Sequence, residues 1–66
     1  MRVYDQATAF MADGQWHPTS EIAQAIGKRP SEVHRAMALA VKYRCVERGN
    51  IELVDGHYNR LWRLTP

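Results

Sequence analysis

The sequence predicts an α+β fold, mainly α, with three helices followed by a β-hairpin. Three observations lead there. Apolar residues recur at helical spacing in three segments before Cys45. The spacing turns strand-like after it, and Asp55-Gly56 separates two short β-like runs.

Val3, Ala7, Phe10 and Met11 lie at i, i+4, i+7 and i+8, the stripe of an amphipathic helix over about 3–12. Asp5 is a candidate local cap. Asp13-Gly14 ends the helix, because glycine supplies the left-handed residue that commonly closes one. In "GQWHPTS", Trp16 is a large apolar residue in a polar connection and is expected to plug the core. Pro18 disfavours helix at His17, and Thr19 is a good N-cap. Glu21 then suits the positive end of a helix dipole. The second helix runs through "SEIAQAIG", with Ile22, Ala23 and Ile26 apolar and Gly27 closing it.

Pro30 has the fixed φ of a first helical residue. Val33, Ala36, Met37, Ala40 and Val41 form the cleanest stripe in the chain, so the third helix spans about 30–43. The strands are Ile51–Val54 and Tyr58–Leu64, joined through Asp-Gly, a strong hairpin signal. Gly49-Asn50 marks either a bulge or a second turn.

At 66 residues the chain is expected to form one domain, 1–66, with a small core. Its 45% hydrophobic and 24% charged residues are the composition of a globular protein. The net charge of +2 fits a nucleic-acid partner without requiring one. No apolar run approaches the roughly 20 residues that cross a bilayer. Met1-Arg2-Val3 is not followed by a signal-peptide apolar region, so a cytoplasmic location is expected. The single Cys45 excludes an internal disulfide and is expected to be a small buried hydrophobe. His17, His34 and His57 lack metal-ligand spacing. There is no glycine-rich phosphate loop, nucleophile elbow or evident carboxylate pair. An enzyme, a cofactor, a metal and a small-molecule ligand are therefore not expected.

The order of these elements resembles the winged helix–turn–helix DNA-binding family. The resemblance covers nearly the whole chain and rests on "GQWHPTSEIAQAIG" for the approach and second helix, with a four-residue turn after it. "RPSEVHRAMALAVKYRCVER" supplies the third helix and its exit, and "NRLWRLTP" the returning wing strand. Two positions depart from the family pattern. Glycine is common where Arg44 stands, and an arginine in the left-handed region costs about 1 kcal/mol, unless the helix ends differently. Leucine is common at Ala40, so Leu39 and Trp62 are candidates to fill the missing volume. The resemblance implies double-stranded DNA as partner, with the third helix in the major groove and the hairpin on the backbone or minor groove. It implies a small phage-type or bacterial transcription regulator, or a recombination accessory factor.

The residues point the same way. With Val33, Ala36, Met37 and Ala40 turned inward, Ser31, Glu32, His34, Arg35 and Ala38 are left outside. They cluster in the N-terminal half, the part of a recognition helix that meets base edges. Arg35 suits guanine O6 and N7, Glu32 suits cytosine N4, and His34 suits a base acceptor or a phosphate. Lys28 and Arg29 stand at the positive end of the helix dipole, where a phosphate fits. Thr19 and Ser20 offer hydroxyls and amides at the start of the second helix. His57, Asn59 and Arg60 lie near the hairpin tip as wing contacts, while Arg63 falls on the other strand face.

An alternative is a winged-helix module that binds protein and not DNA. Leu39 and Tyr43 lie off the main stripe, one turn apart, and either pack on the hairpin or face a homodimer or larger protein partner. A few residues also resemble the Z-form nucleic-acid binders, but only Arg35 and Trp62 of that pattern are in place.

Overall fold

The computed structural model describes residues 2–66; Met1, the first residue of the expected 1–66 domain, lies outside them. Helix α1 (Val3–Phe10) begins after an extended Arg2 and carries Asp5 in its first turn, not as its cap. The chain then leaves the helix through a turn. Gln15 N–H donates to Asp13 Oδ1 at 2.9 Å, and Gly14 takes a φ of 75° that a side chain would strain. Strand β1 (His17–Pro18) follows, a two-residue strand the hydrophobic pattern does not signal.

Helix α2 (Thr19–Ile26) starts at Thr19 itself, with Pro18 as the extended residue before it. It ends in a Schellman turn: Gly27 is left-handed at φ 69° and Lys28 N–H reaches Ala23 O at 3.0 Å. Only Gly27–Arg29 separate it from α3 (Pro30–Lys42). Arg29 is held extended, as a residue before proline must be. Helix α3 closes the same way as α2, with Arg44 N–H on Val41 O at 3.0 Å and Cys45 N–H on Ala40 O at 2.9 Å. Arg44 therefore does adopt the left-handed conformation, at φ 61°. The two paired helix carbonyls offset a strain of about 1 kcal/mol.

Strands β2 (Val46–Val54) and β3 (His57–Leu64) form the hairpin, and the antiparallel sheet has the order β1-β3-β2. Val54 pairs with His57, so the loop is the two residues Asp55-Gly56, both at positive φ, 49° and 79°. Such a turn matches the twist of its strands. The register shifts between Arg48 and Ile51, which makes Gly49-Asn50 a bulge.

The core comprises Ala7, Met11, Ile22, Ala23, Val33, Met37, Ala40, Val46 and Trp62. Trp62, on β3, is its largest member and is fully buried, whereas Leu39 is exposed and fills no core volume beside Ala40. Two further expectations fail. Trp16 is 39% exposed and lies outside the core. Its ring covers the Gly49 bulge, where an added Cβ would meet it at 2.7 Å, and the Arg63 guanidinium stacks on it at 4.4 Å. An aromatic over a glycine is buried by the sheet's outer face, not by the helices. Cys45, two residues past the Tyr43 C-cap of α3 and next to the left-handed Arg44, is also exposed.

Two polar clusters tie the layers together. The Trp62 Nε1–H donates to Thr19 Oγ1 at 2.8 Å, and the Thr19 hydroxyl donates in turn to Arg60 O at 3.1 Å. His17, buried at the α1–α2 corner, bonds Asp13 through Nε2 at 2.9 Å and Glu21 through Nδ1. Burial pushes the His17 pKa down, but the two carboxylates outweigh it and the net shift is upward. Asp13 is held below its ordinary value chiefly by its bond to His17.

Two predictions follow from these clusters. Thr19→Val keeps the shape but leaves a buried indole N–H without an acceptor, a loss of about 1–3 kcal/mol. A urea midpoint equal to wild type would show that the hydroxyl carries none of it. A raised folded pKa at His17 stabilises fully below about pH 6.5, its unfolded value, and the gain is lost as pH rises through the folded pKa. The melting temperature should therefore fall as pH rises above about 6.5, and His17→Gln should flatten that fall.

Candidate nucleic-acid interface

Helix α3 has one face in the core through Val33, Met37 and Ala40, which turns the opposite face of its first half outward. Ser31, Glu32, His34 and Arg35 are all exposed there, and Ala38 is partly so. Lys28 and Arg29 project from the short turn before it, also exposed. The sequence placed these six polar residues together, and the structure keeps them together because one helix and its entry turn carry them all.

Glu32 has a local task. Its carboxylate accepts the Arg29 N–H at 3.1 Å, half of a capping box. Arginine has no acceptor to complete the other half. This draws the Glu32 charge back to the helix N-terminus and away from the tip of the exposed face. The His34 ring stands edge-on to Trp62, with centroids 5.4 Å apart, so its exposed position is braced from below.

The hairpin meets this face across a groove of about 370 Å³, lined by Pro30, Ser31 and His34 on one side and by Ile51, Tyr58 and Arg60 on the other. Thr19 and Asn59 form its floor. Here three expected contacts change character. Thr19 is buried with its hydroxyl committed to Trp62 and Arg60. Asn59 is buried too: its Oδ1 accepts the Ser20 N–H at 2.9 Å and its Nδ2 donates to His57 O at 3.3 Å. The Ser20 amide, one of the unpaired donors at a helix start, is thereby satisfied within the chain. Arg60 turns its Nη1 back onto Gly49 O at 3.1 Å, across the bulge. These groups clamp α2 to the wing. Of the expected wing contacts, His57 alone is fully exposed.

Ile51 and Tyr58 are groove residues the sequence reading missed. The signal was present. Pairing outward from Asp55-Gly56 sets Leu53 opposite Tyr58 and Ile51 opposite Arg60, which puts all four on one face of the hairpin.

Leu39 and Tyr43 are exposed and do not pack on the hairpin. They border a cleft with Arg2, Tyr4, Asp5 and Ala40 on the α1–α3 side. No helix among the described residues is long and apolar enough to cross a membrane.

Three helices, a tight turn between the second and third, and a hairpin folded back beside the third define the architecture. The fold is a winged helix. Among solved structures, a chain named "Possible transcriptional regulator" from Methanosarcina mazei Go1 superposes with a TM-score of 0.79. The match covers 100% of this chain and 57% of that one, at 13% identity. That likeness is one of fold, and this winged helix spans little more than half the length of its neighbour. No family model and no curated protein matches the chain.

The internal role of Asn59 makes a prediction. Asn59→Ala should lower stability by about 1 kcal/mol through the lost bond to the α2 N-terminus. Denaturant unfolding checks it, and unchanged stability would return Asn59 to the surface contacts.

Proposed function

We propose that the chain binds double-stranded DNA as a small transcription regulator or recombination accessory factor, reading sequence with α3. The observation that supports this most directly is the outward face of α3. Ser31, His34 and Arg35 stand on a helix anchored by its buried face, with Lys28 and Arg29 at its entry. A rigid helix bearing hydrogen-bonding side chains in its first half suits the major groove, which displays a distinct donor and acceptor pattern for each base pair. Arg35 takes the guanine-reading role, His34 and Ser31 the adjacent base or phosphate, and Lys28 and Arg29 the backbone beside the groove. Ser20 and His57 lie at the two margins as backbone contacts. The neighbour's name accords with a regulator. In this reading residues 1–66 work as one unit in the cytoplasm, with no catalytic step and no cofactor.

The electrostatic part of binding is small. Lys28 and Arg29 at the backbone together neutralise about two phosphates, which gives a salt slope near −2. Tight binding then needs two copies on paired half-sites or a substantial contact that salt does not screen.

Fluorescence anisotropy on a random-sequence duplex at several salt concentrations tests this. Lys28→Ala should flatten the salt slope by about one unit. Arg35→Ala should weaken binding to a preferred site by about 1–3 kcal/mol with less effect on the slope. A folded wild-type sample that fails to bind at low salt would reject DNA as the partner and turn attention to the cleft beside Leu39 and Tyr43.

A further inference from the structure

The wing is built differently from a cationic clamp. Asn59 is spent inside the fold, and Arg60 gives one N–H donor to Gly49 O. Beside exposed Arg48, Glu52 and His57, the hairpin shows three large apolar residues: Ile51 is 54% exposed, Leu53 62% and Tyr58 79%. Single exposed apolar residues are ordinary on a protein surface. Three on one face of one hairpin, two of them lining a groove, form a contiguous patch of the kind that marks a binding surface.

Charge selects the occupant. No carboxylate lines the groove. Glu32 beside it is drawn to its own helix cap, and Glu52 is not among the lining residues. Exposed Lys28, Arg29 and Arg35 lie on α3 and its entry turn, and at the hairpin tip His57 stands near the exposed Asp55, whose carboxylate is outside the groove lining. A partner that is anionic at its edges and flat and apolar in its middle complements this arrangement, and a nucleotide is such a partner. A second copy of the chain would bring its own cations against these.

We propose that the groove between α3 and the wing receives one unstacked nucleobase, with Tyr58 as its stacking platform and Ser31 and His34 as partners for its polar edge. The inference rests on the DNA-binding reading and deepens it: the protein prefers DNA in which a base is already out of the stack or easily displaced. Stacking on an aromatic side chain is tolerant of sequence and little screened by salt. It supplies contact area beyond that of the cations on α3 and its entry turn. Apolar side chains that part base steps are a known way to trade unstacking energy for new contact area.

The test compares two fluorescent duplexes of the same sequence, one intact and one with a single unpaired 2-aminopurine nucleotide at its centre. Wild type should bind the second about tenfold more tightly, and 2-aminopurine fluorescence should be quenched on binding. Tyr58→Phe should keep both the ratio and the quench. Tyr58→Ala, at an exposed site where folding is not at stake, should bring the ratio close to one and abolish the quench. Lys28→Ala should weaken both duplexes alike and keep the ratio.

Equal binding of the two duplexes by wild type, or a preference that survives Tyr58→Ala, would overturn this inference and leave the DNA-binding reading standing. Binding to neither would overturn both. Sedimentation adds one more outcome: a wild-type dimer that Tyr58→Ala dissolves would overturn the inference by assigning the face to a second copy.

Discussion

The indole of Trp62 and the hydroxyl of Thr19 form the joint on which the molecule depends. Trp62 brings the largest apolar surface to a small core, and its N–H must find a partner when buried. Thr19 Oγ1 is that partner, and its own O–H donates to the backbone carbonyl of Arg60. One hydroxyl therefore links the first residue of α2 to two positions of β3. The Asn59 bond to the Ser20 amide repeats the link one residue along. A domain of this size buries only about 60% of the surface its unfolded chain exposes, so polar joints of this kind carry a larger share of its rigidity than they would in a larger protein.

That rigidity shapes the interface. The wing cannot swing independently of α2, and α2 is set against α3 by the Gly27 turn. The groove between α3 and the hairpin is consequently a built feature with fixed walls. The same bonds commit Thr19, Asn59 and one Arg60 N–H donor to the fold. Interior and exterior roles compete for the same polar side chains, and in the wing the interior has won. The outer sheet face follows the same economy: Arg63 is held between Glu47, at 2.9 Å, and the Trp16 ring.

The residue set that remains for a ligand is thus uneven. The helix side offers hydrogen bonds and cations, and the wing side offers apolar area. In the proposed DNA-binding reading, discrimination falls to short-range contacts at α3 and in the groove. The exposed cleft at Tyr4, Leu39 and Tyr43 lies on the α1–α3 side, lined by a separate set of residues.

The sequence alone determined everything that local chemistry decides. The stripe Val33, Met37 and Ala40 set which face of α3 is outward, and Asp55-Gly56 set the hairpin turn and hence its register. Gly27 and Pro30 bounded the tight turn that holds Lys28 and Arg29. Ser31, His34 and Arg35 were legible for the same reason, since one helix places them all. The tertiary structure alone decided the fate of side chains whose partners are distant in the chain. Thr19 reads as an N-cap and a phosphate contact until Trp62, 43 residues away, claims its hydroxyl. Asn59 and Arg60 read as wing contacts until Ser20 and Gly49 pair with them. Trp16 reads as core until a bulge offers it a glycine, and Ile51 and Tyr58 become groove walls only when the hairpin folds back beside α3. Periodicity encodes which way a residue faces on its own element, whereas what it faces depends on how the elements dock.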